Sequence, residues 1–179
     1  MAKVHTTAVV IIPPKSIWGA IQDIRKKYDK HFHRWMPHIT LLYPFRPESE
    51  FSNLEPYFSK KCKKIESFKI YFEKFKHFYH GKQKYTIWLD PNPENLIKSL
   101  QFALLEIVPD CNNVNLHKIG FIPHLSVGQV IGKDNLKRIL KDLQNTWKPL
   151  KSKITSVYFI ARERENLAQF KIKKEISLK

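Results

Sequence analysis

Two histidines carry the strongest chemical signal in this chain of 179 residues. One lies in Pro37-His38-Ile39-Thr40-Leu41, the other in Pro123-His124-Leu125-Ser126-Val127. Both segments read proline, histidine, aliphatic, hydroxyl, aliphatic. A single His-x-Ser/Thr triplet has little weight, since residue frequencies of a few per cent produce one in roughly every second chain of this size. All five positions matched twice, nearly half a chain apart, carry far more. In an extended strand, residues two apart share a face. His38 and Thr40 then face one way, with Ile39 and Leu41 facing a core. His124 and Ser126 repeat the arrangement over Leu125 and Val127.

Two imidazoles across a cleft suit acid–base chemistry. The ordinary histidine pKa of about 6.5 lets one ring be neutral while the other is protonated near neutral pH. The neutral ring takes a proton from an attacking oxygen and the protonated ring gives one to a leaving oxygen. Thr40 and Ser126 can donate hydrogen bonds to oxygens on which charge builds. Phosphodiester cleavage without a metal ion needs this set of groups.

At these residues the chain resembles the 2H phosphoesterase superfamily, which includes the LigT-like RNA 2′,3′-cyclic phosphodiesterases, also called 2′-5′ RNA ligases. The first motif and its flank, His38-Ile39-Thr40-Leu41-Leu42-Tyr43-Pro44-Phe45, is similar to that family's first motif. Pro123-His124-Leu125-Ser126 is similar to its second. A looser similarity extends to the C-terminal strand pair beginning at Ser156.

The resemblance implies an α+β, bilobal fold: two antiparallel sheets, helices outside, and a pseudo-two-fold central groove holding both motifs. It implies no cofactor, His38 and His124 as the acid–base pair, and Thr40 and Ser126 as phosphate-binding hydroxyls. By the same analogy, His124 activates water and His38 protonates the departing 3′ oxygen. The expected activity is hydrolysis of 2′,3′-cyclic phosphate to 2′-phosphate at RNA ends. Cleavage of 2′,5′-oligoadenylates or trimming of RNA 3′ ends would use the same four residues. A non-catalytic basic RNA-binding module is the alternative of a different class. Gly128-Gln129 departs from the family pattern and predicts that the second motif strand bends early.

The elements that must position these residues are legible in outline. Residues 4–12 are β-branched and end at Pro13-Pro14, which predicts a buried strand. Ser16 is the expected cap of a helix with Ile17, Ile21, Ile24 and Tyr28 at helical spacing. Residues 31–35 read as a basic aromatic turn, and 37–43 as a strand. Residues 52–61 predict a short helix that admits Pro56 only in its first turn. Phe68, Ile70 and Phe72 alternate as in a half-buried strand. Residues 75–79 and 85–89 form a hairpin around His80-Gly81-Lys82. Glu94 opens a helix carrying Leu96, Leu100 and Leu104, and 109–115 is a loop. Residues 123–130 are a strand ended by Gly132, and Asp134 caps a helix. Residues 154–161 predict one strand, paired with 170–176 across 162–166. No linker divides the chain, so 1–179 reads as one domain with two lobes.

Lys and Arg number 32 and Asp and Glu 16, a net charge of +16. Clustered cations favour a polyanionic partner such as RNA. Around the first motif, Trp35 and Tyr43 could stack bases, while Phe45 reads as core. Tyr158, Arg162 and Lys84 are further candidate substrate contacts, with Lys82 on the same basic rim. His31-x-His33 could ligate a metal but has no acidic or cysteine partner nearby, so no metal site is expected. His77 and His80 read as solvated, and His5 and His117 support no role. Five scattered glycines form no phosphate-cradling loop. Cys62 and Cys111 fit a reducing compartment, and no stretch approaches a membrane span. The expected address is cytoplasmic or nuclear, and the expected state a monomer.

Overall fold

The computed structural model describes residues 2–116, 120–165 and 168–179. His117 and Asn166 lie outside the described residues.

Eight strands form two antiparallel sheets. In the first, β1 (Thr7–Ile11) runs between β2 (Ile39–Leu42) and β7 (Ser156–Ala161), and β8 (Lys171–Ser177) closes the far side, giving the order β2-β1-β7-β8. In the second, β4 (Lys84–Asn92) lies between β5 (Leu125–Ile131) and β3 (Phe68–Tyr79), followed by β6 (Leu150–Ile154), giving β5-β4-β3-β6. Four helices accompany them among the described residues: α1 (Trp18–Tyr28), α2 (Phe51–Cys62), α3 (Glu94–Leu105) and α4 (Lys133–Thr146). The order β-α-β-α from β1 to α2 repeats from β4 to α4, so the matched motifs sit at matched points of a duplicated topology. This is the α+β, two-sheet architecture that the resemblance in sequence implies.

Each motif strand is the edge of its sheet, and β2 and β5 approach one another. The helices lock this meeting reciprocally. α1 leaves the first sheet and packs on β5 of the second, while α3 leaves the second and touches β2 of the first. Burial of Ile21 on α1 and of Ile97, Leu100 and Leu104 on α3 drives the exchange.

Several local expectations give way to tertiary packing. Ser16 does not cap α1; a 3-10 turn, Lys15–Ile17, feeds the helix and Ile17 occupies the cap position without a side-chain bond. Gly132, not Asp134, is the cap of α4, with Asp134 in the first turn, where its charge suits the helix dipole. Pro56 sits in the second turn of α2. The carbonyl it leaves unbonded belongs to exposed Ser52, on the water side of the helix. Residues 68–79 form one strand rather than two, because a register shift between Phe72 and Lys74 swaps the alternation and keeps both Phe72 and Phe75 on the core. Conversely, 154–161 divides at Thr155. Ile154 pairs with Phe68 in one sheet and Ser156 with Ser177 in the other, so one residue carries the chain between sheets.

The strand of the second motif is irregular close to the expected bend, with a register shift between Ile87 opposite Gly128 and Trp88 opposite Ser126, and it runs on to Ile131. Gly128 also serves α1: a Cβ there would lie 2.4 Å from the Tyr28 Cβ and 3.2 Å from its backbone carbonyl. Only a residue without a side chain lets the end of α1 lie this close to β5.

Candidate functional site

His38 and His124 each immediately precede their edge strand, and each is held in the same way. The His38 Nδ1 lies 2.7 Å from the Met36 carbonyl oxygen, and the His124 Nδ1 lies 2.8 Å from that of Ile122. A carbonyl oxygen only accepts, so in both rings Nδ1 carries the proton and donates it. The lone pair of a neutral ring is thereby placed on Nε2. Fixing the tautomer through Nδ1 is how a histidine is prepared to exchange protons through its other nitrogen.

A cleft of about 640 Å³ is lined by His38 and Trp35 from the first motif and by Ser126 and Lys84 from the second sheet, while His124 and Thr40 are not among its lining residues. Thr40 is half-buried on β2 opposite Val10, and Ser126 is half-buried on β5 opposite Trp88. The His124 ring is set edge-on to Phe78 at 4.9 Å and to Trp88 at 5.8 Å between centroids. Trp88 stacks on Phe78 and is almost wholly buried, and its indole N–H has no acceptor among the described residues.

His38 is stacked instead. The Trp35 ring lies 4.5 Å from it and 15° from parallel, and Phe170 backs Trp35 at 3.8 Å. Burial pushes the His38 pKa down to about 4, and the charges of Arg25 and His124 push the same way, against the Met36 carbonyl. The ring is neutral at neutral pH. That His124 contributes at all means the two imidazoles share one electrostatic neighbourhood.

Sequence reasoning missed the group behind the first motif. Arg25, buried on α1, bonds Asp29 at 2.8 Å, Gln22 at 2.9 Å and the Trp35 carbonyl at 2.9 Å. It pins the turn that carries Trp35, Met36 and His38 to α1. Burial lowers its pKa and Asp29 opposes that shift. The signal available was an Arg and an Asp at i,i+4 on the helix that precedes the motif. Asp29, Lys30, His31, His80, Thr86 and Gln129 also line the cleft. His80, which reads as solvated in sequence, is exposed and also borders the cleft, its Nε2 2.8 Å from the Thr86 hydroxyl on β4.

Three predicted substrate contacts lie elsewhere. The Tyr43 hydroxyl donates to the His5 carbonyl at 3.2 Å and the ring packs on Trp35. Tyr158 donates to the Glu175 carboxylate at 3.1 Å across the β7–β8 pair, beside a separate small pocket with Ile172 and Lys153. Arg162 lies over Phe170 and donates to the carbonyls of Glu163 and Glu165. Tyr43 and Arg162 lie just beyond β2 and β7, and none of the three is among the residues that line the cleft. His33 is exposed, and no group of three His, Cys, Asp or Glu is disposed to hold a metal ion among the described residues. Cys62 and Cys111 are buried free thiols, Cys62 pushed up to about 11 by burial. No helix among the described residues is long and apolar enough to cross a membrane.

This two-sheet arrangement is that of the LigT-like phosphoesterases. The chain superimposes on a protein of Thermus thermophilus with a TM-score of 0.65 and 15% identity, covering 96% of this chain and 97% of that one. Escherichia coli LigT in complex with 3′-AMP matches with a TM-score of 0.63 and 14% identity over 99% of each chain. In sequence, a candidate phosphoesterase of Geobacillus kaustophilus is 29% identical over 124 residues, 68% of this chain and 67% of its own. One from Oceanobacillus iheyensis is 28% identical over 137 residues, 76% and 77%. The profile of the 2′-5′ RNA ligase superfamily matches residues 13–166. The chain belongs to that superfamily, among the 2H phosphoesterases.

Proposed function

We infer that this protein is a metal-independent phosphodiesterase of RNA ends that hydrolyses 2′,3′-cyclic phosphate to 2′-phosphate, with residues 1–179 acting as one two-lobed unit. The observation that carries the reading is the paired anchoring of His38 and His124, which makes Nε2 the proton-exchanging nitrogen of each ring. Water attacks phosphorus as one Nε2 takes its proton. The bond from phosphorus to the 3′ oxygen breaks as the other histidine protonates that oxygen. Thr40 and Ser126 donate to the non-bridging oxygens as charge builds on them. The likeness to LigT gave the water to His124. The pKa of about 4 at His38 favours the reverse: the ring already neutral accepts the proton from water, and His124 supplies the one the 3′ oxygen takes.

The test is an oligonucleotide ending in a 2′,3′-cyclic phosphate, incubated with the protein and excess chelator. The expected product carries a 2′-phosphate. Failure to open the ring, a 3′-phosphate product, or turnover that needs added metal would each overturn the reading. Faster cleavage of a 2′,5′-linked oligoadenylate would move the substrate while leaving the site in place.

A further inference from the structure

The cleft extends beyond His38 and Ser126. From Ser126 it follows β5 to Ile131, about 17 Å of strand at roughly 3.4 Å per residue, longer than one nucleoside. The opposite wall is the turn after α1, where Asp29, Lys30 and His31 line it. The β3–β4 hairpin forms its mouth. That hairpin tip is clamped: the His80 N–H donates to the Lys84 carbonyl and the Lys84 N–H to that of Gly81, both at 2.9 Å. The Gly132 N–H donates to the Gln83 carbonyl at 2.9 Å, tying the tip to the end of β5. Gly81, Lys82 and Gln83 all take positive φ, two of them without glycine's freedom, as a tightly held turn requires. His80 is thereby brought back over β4, its Nε2 2.8 Å from the Thr86 hydroxyl.

The polar groups of this arm are oriented. The Lys30 N–H donates to Gln129 Oε1 at 3.0 Å, so the Gln129 amide presents its NH₂ as the group free to donate. Thr86 stands opposite Gln129 across the β4–β5 pair. Lys30 and Lys84 give the arm positive charge. Its one carboxylate among the described residues, Asp29, is engaged by Arg25 on one oxygen and by the His31 N–H on the other. Exposed Ile131 adds an apolar ledge at the outer end. Donors, cations and a ledge in a trough continuous with His38 and Ser126 suit a nucleotide: base, ribose and phosphate together.

We propose that this arm binds the nucleotide on the 5′ side of the reacting one, Gln129 and Thr86 meeting its base or ribose and Lys30 and Lys84 its phosphate, so that the enzyme selects oligonucleotide ends over nucleoside cyclic phosphates. The assignment rests on the phosphodiesterase reading, because that reading places the reacting phosphate between the histidines. Calorimetric binding of a 3′-phosphorylated mononucleotide and a 3′-phosphorylated dinucleotide to the full chain tests it without turnover. The dinucleotide is expected to bind about tenfold more tightly, the size of one or two added polar contacts. Raising the salt should reduce that ratio, since the added contact is partly ionic. Gln129→Glu keeps the acceptor for the Lys30 N–H but loses the donor, and it should bring the ratio to within about twofold. Lys30→Ala, at an exposed position, should lower it as well. Equal affinity for the two lengths in the wild-type chain, or a ratio untouched by both variants, overturns the subsite. An intact ratio in a protein that opens no cyclic phosphate overturns the phosphodiesterase reading and leaves the subsite standing.

Discussion

At both motifs the histidine Nδ1 donates to the carbonyl two residues earlier, at 2.7 Å for His38 and 2.8 Å for His124. Beyond that contact the two surroundings diverge. His38 is stacked face to face on Trp35, under a turn pinned by a buried Arg25–Asp29 pair. His124 meets Phe78 and Trp88 by its edge, on the sheet whose hairpin forms the mouth of the cleft. Duplication set the part that chemistry needs twice, a fixed tautomer at the head of an edge strand. The rest was free to specialise, and at His38 burial lowers the proton affinity of the ring.

The likeness between the motifs breaks first at the histidines themselves. His38→Ala and His124→Ala should each lower kcat by about 10²–10⁴-fold, measured on a cyclic-phosphate end. Because the two act in one step, the double variant should lose little more than the worse single one. A large loss at one histidine and none at the other would mean that only one motif is functional.

The next largest effect tests the buried ion pair behind the first motif. Asp29→Ala leaves Arg25 buried and uncompensated, with side-chain exposures of 2% and 4% in the pair today. Removing one partner of a buried pair costs about 3–5 kcal/mol. Urea unfolding should show that loss, and any folded fraction should turn over more slowly as the Trp35–His38 turn loosens. Wild-type stability in the variant would mean the pair is not a support for the first motif.

Position four after each histidine gives a third contrast, Leu42 in the first motif and Gly128 in the second. Leu42 fills core, while Gly128 admits Tyr28 of α1. Gly128→Ala should therefore cost about 1–3 kcal/mol through overpacking. It should do so with the histidine pair unaltered in sequence, since the strain falls on the α1–β5 contact. An unchanged unfolding midpoint would show that α1 is free to shift.

Gly128 also marks the limit of what the sequence makes legible. The motifs, both edge strands, the helices and the α+β class follow from local pattern, because period-two and period-3.6 burial are written in consecutive residues. Gly128 reads only as a bend in the strand because nothing local reveals that Tyr28, a hundred residues earlier in the chain, lies against it. The division at Thr155 is hidden for the same reason: 154–161 is uniformly β-forming, and only the choice of partner, Phe68 or Ser177, sends its two parts to different sheets. Trp35 and Lys84 were found from their neighbours in sequence. Arg25, Gln129 and His80 reach the cleft through helix crossing and a folded-back hairpin, which no spacing rule reports. Tyr158 and Arg162 show the converse: their i,i+4 spacing suggests a shared face, but β7 ends at Ala161 and a register shift lies between them.

A fourth, smaller effect follows from the proton affinity of His38. Its pKa falls from the ordinary value near 6.5 to about 4 on folding. Between those values the unfolded chain binds a proton that the folded chain refuses. The stability this ring contributes is complete above about pH 6.5 and is lost as pH falls toward 4. Urea midpoints at about pH 4.5, low in that window, and at pH 7, above it, should differ less in His38→Gln than in the wild-type protein. The same low pKa should carry the acid limb of kcat/KM below the ordinary histidine range. A limb near 6.5 with equal pH sensitivity in both proteins would mean that burial does not lower the His38 pKa.

The smallest effect sharpens the surroundings of His124. Trp88 packs against that ring and against Phe78, yet its indole N–H is buried without an acceptor among the described residues. An unpaired buried donor costs free energy that a purely apolar ring does not. Trp88→Phe removes the donor and keeps an aromatic edge for His124, at the expense of some buried surface. The lost area and the relieved donor oppose each other, each worth about 1–3 kcal/mol. Stability should therefore stay within about 1 kcal/mol of wild type, and kcat within about threefold, when measured by urea unfolding and by turnover of the cyclic end. Trp88→Ala, which gives up the packing as well, should lose about 3–5 kcal/mol. A loss in Trp88→Phe as large as in Trp88→Ala would mean that the N–H bonds something when substrate is bound. The second motif would then possess a polar support of its own, and its contrast with the Arg25-braced first motif would narrow to a difference in which side chain does the bracing.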